Sequence, residues 1–408
     1  MALMPWKETD AVKQRVKFLL EWEARWYAGD GRTNFAALCR EFGVSRQVGY
    51  DLVARYRKAR RDVSVAAERS RRPHTSPTKV ALELEDFIVS ARKQHPTWGP
   101  KKLRAWILHH HPELPLPAPS TFGDILRRRG MTQGQLRKPR SKETARQPFA
   151  SVTGPNATWC VDFKGHFATG DGRRCYPLTI IDAHSRFLIR CEGVPDPDGS
   201  AVMRIFDSAF QEFGLPAAIR SDNGPPFASV GAGGLTMLSV WWIQLGIQVE
   251  RITPGKPQEN GRQERFHRTL KAETARPPRA DLRCQQRAFD AFRGEYNNER
   301  PHEALGQKTP STAFAHSPRR YPRSLKRFDV APWNRRAPLD KLGRISWDGK
   351  LIFISTALAL EDVELRYDGD EAWDVVFGAL SIGVLTEGRG GAKFTPSKGR
   401  MKDRRECQ

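Results

Sequence analysis

The stretch that begins near Asn156 places the strongest constraint on the fold, because the pattern changes there from helical spacing to strands and turns. Strand patterns at Thr158–Phe163, Tyr176–Ile181 and Arg186–Cys191 are followed by alternating helix and strand patterns. The turn sequence 170–172, Gly-Asp-Gly, lies between the first two strands and predicts a hairpin. Antiparallel strands followed by alternating helices and strands are typical of one mixed α/β domain.

Three acidic motifs fall at different elements of this domain. Asp162 lies within the first strand, Asp222 follows the strand pattern Ala217–Ser221, and Glu264 lies on the predicted helix Glu259–Lys271. Carboxylates on separate elements can supply the oxygen ligands that Mg²⁺ prefers. In a basic chain they indicate a cation site beside a nucleic acid, the arrangement that cuts and joins phosphodiesters. For any single acid, a surface salt bridge is the alternative.

The charge of the chain points to a polyanionic partner. Its 408 residues include 68 Lys and Arg against 46 Asp and Glu, a net charge of +22. Nucleic acid is the first candidate, since neutralising phosphates releases counterions; a basic protein without such a partner is the alternative. The six cysteines form no C-x-x-C pair, which argues against a disulfide framework or zinc knuckle and favours a reducing cytosol. No apolar run approaches the roughly 18 residues of a membrane span.

The first part of the chain carries a helix-turn-helix pattern. Apolar spacing predicts a helix over Asp10–Tyr27, and Asn34 and Ser45 are positioned to cap two further helices. In the helix-turn-helix plan the second helix of such a pair reads DNA. Five of its side chains are candidates for contacts with bases and phosphates: Arg46, Gln47, Tyr50, Arg55 and Arg57. A plain helical hairpin is the alternative.

A second helix-turn-helix pattern follows. Helices are predicted over Val80–Lys93, Lys101–Leu108 and Phe122–Arg129, the last of them started by Ser120 or Thr121. The candidate DNA-binding cations of this unit are Lys101, Lys102, Arg127 and Arg128.

The predicted helix Glu259–Lys271 of the α/β domain carries cations beside its acid. Glu264, Arg268 and Lys271 fall at positions i, i+4 and i+7, so they share one face of the helix. Arg268 and Lys271, together with Arg265, are therefore candidates for contacts with DNA phosphates.

The last part of the chain predicts a small β-barrel. Short strand patterns separated by Asp-Gly turns follow a proline-containing linker and precede a basic, glycine-rich segment that we expect to be disordered. The predicted divisions are a helix-turn-helix domain with a basic tail at 1–72, a second at 76–135, a basic linker at 136–155, the α/β core at 156–316, a linker at 317–340, the barrel at 341–388 and the tail at 389–408.

The central motifs resemble a known family. Asp162, Asp222-Asn-Gly224 and Asn260-Gly-x-x-Glu264 are similar to the DDE integrase core of bacterial insertion-sequence transposases and retroviral integrases. Residues 296–302, Tyr-Asn-Asn-Glu-Arg-Pro-His, resemble the segment that closes that core in insertion-sequence proteins. The resemblance covers about 156–314. It implies a ribonuclease-H-like fold, dependence on Mg²⁺ or Mn²⁺ with two ions bound, and cutting and joining of DNA at transposon ends.

Carried over position by position, the resemblance makes Asp162, Asp222 and Glu264 the catalytic and metal-binding residues. The family spaces its second and third acids more closely than these, which would favour Glu259. The local Asn-Gly-x-x-Glu pattern favours Glu264, and the glycine-rich segment 231–234 can absorb the extra length as a loop. Asp182 also matches a family pattern, and we expect it to cap a turn. For His267, contact with a phosphate or the attacking water and a purely structural role are both open.

The sequence therefore predicts a multidomain DNA transposase. Its expected partners are the terminal inverted repeats of a transposon, the target DNA and further copies of the chain, in a homodimer or higher oligomer on DNA. The expected location is the bacterial cytoplasm, at the nucleoid. A metal-dependent, structure-specific nuclease of the same fold is the alternative enzyme, and a DNA-binding regulator with a decayed core is the non-enzymatic alternative.

Overall fold

A computed structural model of the chain describes residues 10–29, 31–68, 80–132, 152–163, 165–252, 261–325, 327–369, 371–388 and 391–397. The chain divides into two compact units between residues 79 and 80.

The first unit is helical. It contains α1 (Ala11–Ala28), α2 (Phe35–Glu41) and α3 (Arg46–Lys58). The predicted caps are confirmed, because the side chain of Asn34 accepts a hydrogen bond from the amide of Ala37 and that of Ser45 accepts one from Val48. The three helices enclose a core that includes Phe18, Leu38, Leu52 and Tyr56.

A glycine sets how closely α3 approaches the other two helices. A Cβ atom on Gly49 would lie 2.8 Å from the sulfur of Cys39 and 2.9 Å from the ring of Phe35. Contacts this short are repulsive, so the packing of α3 requires a residue without a side chain at this position.

The second unit begins with α4 (Leu82–Gln94), α5 (Pro100–His110) and α6 (Pro119–Arg128), which pack around Trp98 and Phe122. The prediction that Ser120 or Thr121 starts the third helix is wrong. The helix begins at Pro119 instead, since the fixed φ of proline suits the first helical position and its missing N–H needs no partner there.

The predicted mixed α/β domain is confirmed as a six-stranded sheet. Its strands are β1 (Thr158–Phe163), β2 (Phe167–Ala168), β3 (Arg174–Asp182), β4 (Leu188–Val194), β5 (Ala218–Ser221) and β6 (Gln248–Arg251). β3 pairs antiparallel with β1, β2 and β4, whereas β5 pairs parallel with β1 and β6. β1 therefore lies at the junction between the antiparallel and the parallel parts of the sheet.

Helices cover both faces of this sheet: α7 (Gly199–Phe213), α8 (Met237–Gln244), α9 (Gly261–Thr274), α10 (Leu282–Asn298) and the short α11 (Pro310–Ala313). Trp159 and Val161 of β1 are buried with α7 and α8. The opposite face packs against α9 and α10 through residues such as Leu188 and Phe266. Because side chains alternate along a strand, Asp162 belongs to the face of α9 and α10.

The C-terminal part is built from seven strands: β7 (Arg335–Pro338), β8 (Arg344–Trp347), β9 (Lys350–Phe353), β10 (Asp362–Gly369), β11 (Ala372–Phe377), β12 (Leu380–Thr386) and β13 (Lys393–Pro396). They form an antiparallel sheet in the order β13-β12-β11-β10-β7 and a separate hairpin, β8-β9. Closure of these strands into a barrel stays a prediction. Their core includes Leu235 and Val240, so this sheet packs against the end of the α/β domain that carries α8.

Two predicted boundaries in this region are wrong. The linker at 317–340 contains β7, and the ring of Tyr321 packs against the core of the α/β domain while its hydroxyl donates to Asp207 at 2.8 Å. The tail at 389–408 contains β13, which pairs with Gly383–Thr386. Backbone pairing with an existing sheet edge gives these polar segments the order that their composition alone does not predict.

Candidate active site

Asp162 and Asp222 come from adjacent parallel strands. The register of β1 and β5 pairs Thr158 with Ala218 and Cys160 with Arg220. The same register, continued by two residues, sets Asp162 level with Asp222 just beyond the end of β5. Paired strands lie about 4.8 Å apart, so the two residues lie at the same end of these two strands.

Asp222 is a half-buried carboxyl in a tight turn. Burial raises its pKa above the ordinary value, and the amide of Gly224, which donates to it at 3.3 Å, opposes that rise. The next side chain, Asn223, donates to the carbonyl of Ile252 at 2.9 Å and so ties the turn to the end of β6. Within the described ranges, no Lys, Arg or His forms an ion pair with Asp222.

The helix α9 reaches β1 through His267. Its Nε2 lies 2.9 Å from the hydroxyl of Thr179, and its Nδ1 lies 3.7 Å from a carboxylate oxygen of Asp162. The side chain of His267 is only 4% exposed and that of Asp162 is 18% exposed. Thr179 is directly across from Asp162 in the β1–β3 pair. Nothing in the strand pattern singles out Thr179, so its place at the site is visible only in the structure.

Glu264 lies in the first turn of α9, one helical turn before His267. Residues three apart lie on the same side of a helix, so α9 carries Glu264 toward the sheet face of Asp162. Glu264, Arg265, Arg268 and Lys271 are all exposed. Glu259 lies outside the described residues, and the choice between it and Glu264 stays a prediction.

The two aspartates suit a divalent cation. In the described ranges, no group of three or more His, Cys, Asp and Glu side chains is close enough to hold a metal ion, so the structure does not gather Glu264 with the aspartates. The chemistry of Asp222 nonetheless fits: burial disfavours its charged form, and a nearby cation would offset that cost. Hard carboxylate oxygens are the ligands that Mg²⁺ and Mn²⁺ select.

Asp182 caps the turn after β3, as predicted. Its buried carboxylate accepts hydrogen bonds from the amide of Asn156 at 2.8 Å and from the amide and hydroxyl of Ser185 at 2.7 and 2.6 Å. The segment that resembles the closing part of the core is also structural. Asn297 exchanges two hydrogen bonds with the backbone of Leu188, which fixes α10 to β4.

The candidate DNA-binding residues of α3 divide into two groups. Arg46, Gln47 and Tyr50 are exposed, and the ring of Tyr50 stacks on Phe35 with centroids 4.2 Å apart. Arg57 is exposed as well, with its guanidinium 4.5 Å from the ring centroid of Trp26, whereas the partly buried Arg55 donates to the carbonyl of Val65.

The candidates of the second helical unit also have internal partners. Lys101 pairs with Glu303 at 2.6 Å, Arg127 with Asp124 at 2.8 Å, and Arg128 with the buried Glu85 at 2.9 Å. Burial, followed by the nearby charge of Arg300, lowers the pKa of Lys102 to about 8. Lys102 therefore lies near charged groups of the α/β domain, and its contact with DNA stays a prediction.

Two general expectations can be compared with the described residues. The five cysteines among them are all free thiols, in agreement with the predicted absence of a disulfide framework. Of the described helices, none combines the length and apolar character that crossing a bilayer requires.

Comparison with known proteins finds relatives of the α/β domain. Two family models, both described as integrase core domain, match residues 152–257 and 245–310. A 31.7 kDa protein of insertion element IS407 from Burkholderia multivorans is 30% identical over 46% of this chain. A 39.2 kDa protein of insertion element IS476 from Xanthomonas euvesicatoria is 28% identical over 58% of this chain. A Pol polyprotein of feline endogenous virus ECE1 is 35% identical over 29% of this chain and 10% of its own length.

The similarity covers only part of the length of each relative. The chain spans 65% of each insertion-element relative, which is just under two thirds. Both family models fall on the six-stranded sheet and the helices that cover it. Residues 152–310 are therefore similar to the integrase core domain, and the chain is similar over this region to insertion-element proteins and to retroviral Pol polyproteins.

Proposed function

We propose that this chain is a DNA transposase, which binds transposon ends and catalyses metal-dependent strand cleavage and strand transfer by direct transesterification. The observation that carries the proposal is the pair Asp162 and Asp222, set level on adjacent parallel strands, one of them half-buried without an ion-pair partner in the described ranges. In a chain of net charge +22, a cation site of this kind beside exposed arginines suits phosphodiester chemistry.

Asp162, Asp222 and Glu264 would hold the Mg²⁺ or Mn²⁺ ions, expected to be two. Such ions activate a water or 3′-hydroxyl and stabilise the leaving oxygen. The contribution of the chain would be position: β1 carries Asp162, the turn after β5 carries Asp222, and α9 carries Glu264. The exposed Arg268 and Lys271 lie on the same helix as Glu264 and would hold the DNA backbone beside the acids.

Recognition of the ends would fall to the N-terminal units. The exposed candidates of α3, the helix that reads DNA in a helix-turn-helix, are Arg46, Gln47, Tyr50 and Arg57. The C-terminal strands, closed into a small barrel, would hold DNA or a second copy of the chain. The names of the insertion-element relatives support a mobile-element function, and joining two ends requires a dimer or higher oligomer.

The test is a strand-transfer assay with the full chain, pre-cut transposon ends, a target plasmid and Mg²⁺ or Mn²⁺. Joined products that disappear on chelation of the metal support the transposase. Cleavage of branched DNA without any joined product would instead identify a structure-specific nuclease of the same fold. Sequence-specific binding without cutting or joining would contradict both enzymes.

A further inference from the structure

A buried hydrogen-bond chain links α9 to the backbone of the residue proposed to hold metal on β1. The hydroxyl of Thr179 lies 3.2 Å from the carbonyl oxygen of Asp162, to which it donates, and 2.9 Å from Nε2 of His267. Thr179 is fully buried and His267 is 3% exposed. A hydroxyl has one hydrogen, and Thr179 uses it on the carbonyl of Asp162.

That arrangement fixes the orientation of the imidazole. The 2.9 Å contact with the Thr179 hydroxyl holds Nε2 of His267 on the side of β3 in either tautomer of the ring. The ring's other nitrogen, Nδ1, is then directed at the Asp162 carboxylate, 3.7 Å from the nearer oxygen. This distance is too long for a direct hydrogen bond but close enough to restrict where the carboxylate can point.

Resting on the function proposed above, we infer that His267 is a positioning residue for Asp162, acting on the divalent cation through the carboxylate. Thr179 holds the imidazole from one side, and the imidazole limits the rotamers of Asp162 from the other. A metal ligand held in one orientation before the ion arrives loses less freedom on binding. The sequence left open whether His267 contacts a phosphate or the attacking water or is purely structural. Positioning of Asp162 is a role distinct from both.

The experiment measures Mn²⁺ binding to the full chain by electron paramagnetic resonance, without DNA. His267→Ala should weaken Mn²⁺ binding by about 10- to 100-fold, the usual effect of losing a group that orients a metal ligand. His267→Asn keeps a polar atom near the position of Nδ1 and should recover most of the affinity. Thr179→Val should weaken binding, whereas Thr179→Ser keeps the hydroxyl and should restore it. The exposed His184→Ala is the matched control and should bind like the wild type.

The outcomes separate this inference from the proposed function. Wild-type Mn²⁺ affinity in both His267→Ala and Thr179→Val, with loss in Asp162→Asn, would overturn the role of His267 and leave the metal site standing. Wild-type affinity in Asp162→Asn would overturn the proposed metal site itself. If His267→Ala does not fold, the Thr179→Val and Thr179→Ser pair decides: equal affinity in the two contradicts the inference.

Discussion

Arg300 forms a 2.7 Å ion pair with Glu273, and both side chains are at most 15% exposed. The same carboxylate accepts a hydrogen bond from Thr97, and the Arg300 guanidinium lies 5.8 Å from the ring centroid of Trp98. Thr97 and Trp98 belong to the second helical unit, whereas Glu273 and Arg300 belong to the α/β domain. This pair therefore fastens the helical unit to the α/β domain.

Arg300→Ala should lower the free energy of unfolding by about 3–5 kcal/mol, because it leaves Glu273 buried without its partner. The exposed Arg327, which pairs with Asp362 at 3.4 Å, provides the control. Its change to alanine should cost less than about 1 kcal/mol. Equal effects of the two substitutions in urea denaturation would contradict this role of Arg300.

Asp162→Asn and Asp222→Asn should each reduce strand transfer by at least about 10³-fold, since the ligands of a metal that supplies several kcal/mol of transition-state stabilisation are removed. Binding to transposon ends should be unchanged, because the proposed reading residues lie on α3. Strand transfer on pre-cut ends and a gel-shift assay measure the two quantities. Loss of both together would instead indicate a folding defect.

A comparison of variants at Glu264 and Glu259 tests which of the two glutamates is the third catalytic acid. Glu264→Gln should abolish strand transfer, and Glu259→Gln should leave it close to the wild-type rate. The side chain of Glu264 is exposed in the first turn of α9, so its replacement should leave the thermal midpoint nearly unchanged. Full activity in Glu264→Gln with loss in Glu259→Gln would reverse the assignment.

The raised pKa of Asp222 has a consequence for stability. A carboxyl whose pKa is higher in the folded than in the unfolded state favours folding at acid pH, and that contribution is lost as pH rises through the folded value. Asp222→Asn removes the buried charge, so it should unfold at a higher temperature than the wild type above that pH. The difference should vanish below the ordinary pKa of aspartate.

Divalent metal should reverse the order of the unfolding temperatures of the wild type and Asp222→Asn. Mg²⁺ or Mn²⁺ should raise the thermal midpoint of the wild type because it binds only the folded state. The same ions should leave Asp222→Asn unchanged. Thermal scans from pH 3 to 8, with metal and with a chelator, measure both effects. A larger metal-induced rise in the variant than in the wild type would contradict the proposed role of Asp222.

The exposed face of α3 should determine end binding. Arg46→Ala should reduce the slope of log affinity against log salt by about one if Arg46 contacts a phosphate. Gln47→Ala should relax discrimination at one base pair by about 1–3 kcal/mol. Lys13→Ala on α1, where the side chain is 77% exposed, is the control and should alter neither quantity. An unchanged salt slope and an unchanged sequence preference in both α3 variants would show that this face of α3 does not bind the transposon ends.

Much of the fold could be predicted from local pattern. The strand at Thr158–Phe163, the hairpin at 170–172 and the caps Asn34 and Ser45 follow from rules that act over a few residues. The strands β7 and β13 could not be predicted in this way, because they are short and polar and are ordered by pairing with β10 and β12. The start of α6 at Pro119 also follows from a local rule, the preference of proline for the first position of a helix.

The sequence by itself determined which carboxylates are candidates for the site, because acids at a strand, a strand end and a helix start are visible in the order of residues. Tertiary structure decided which of those groups meet. The parallel register of β1 and β5 sets Asp162 level with Asp222, and the crossing of α9 over β3 brings His267 to Thr179. It also turned Arg55 toward the carbonyl of Val65. Register and helix packing depend on contacts between residues far apart in the chain, which local spacing does not encode.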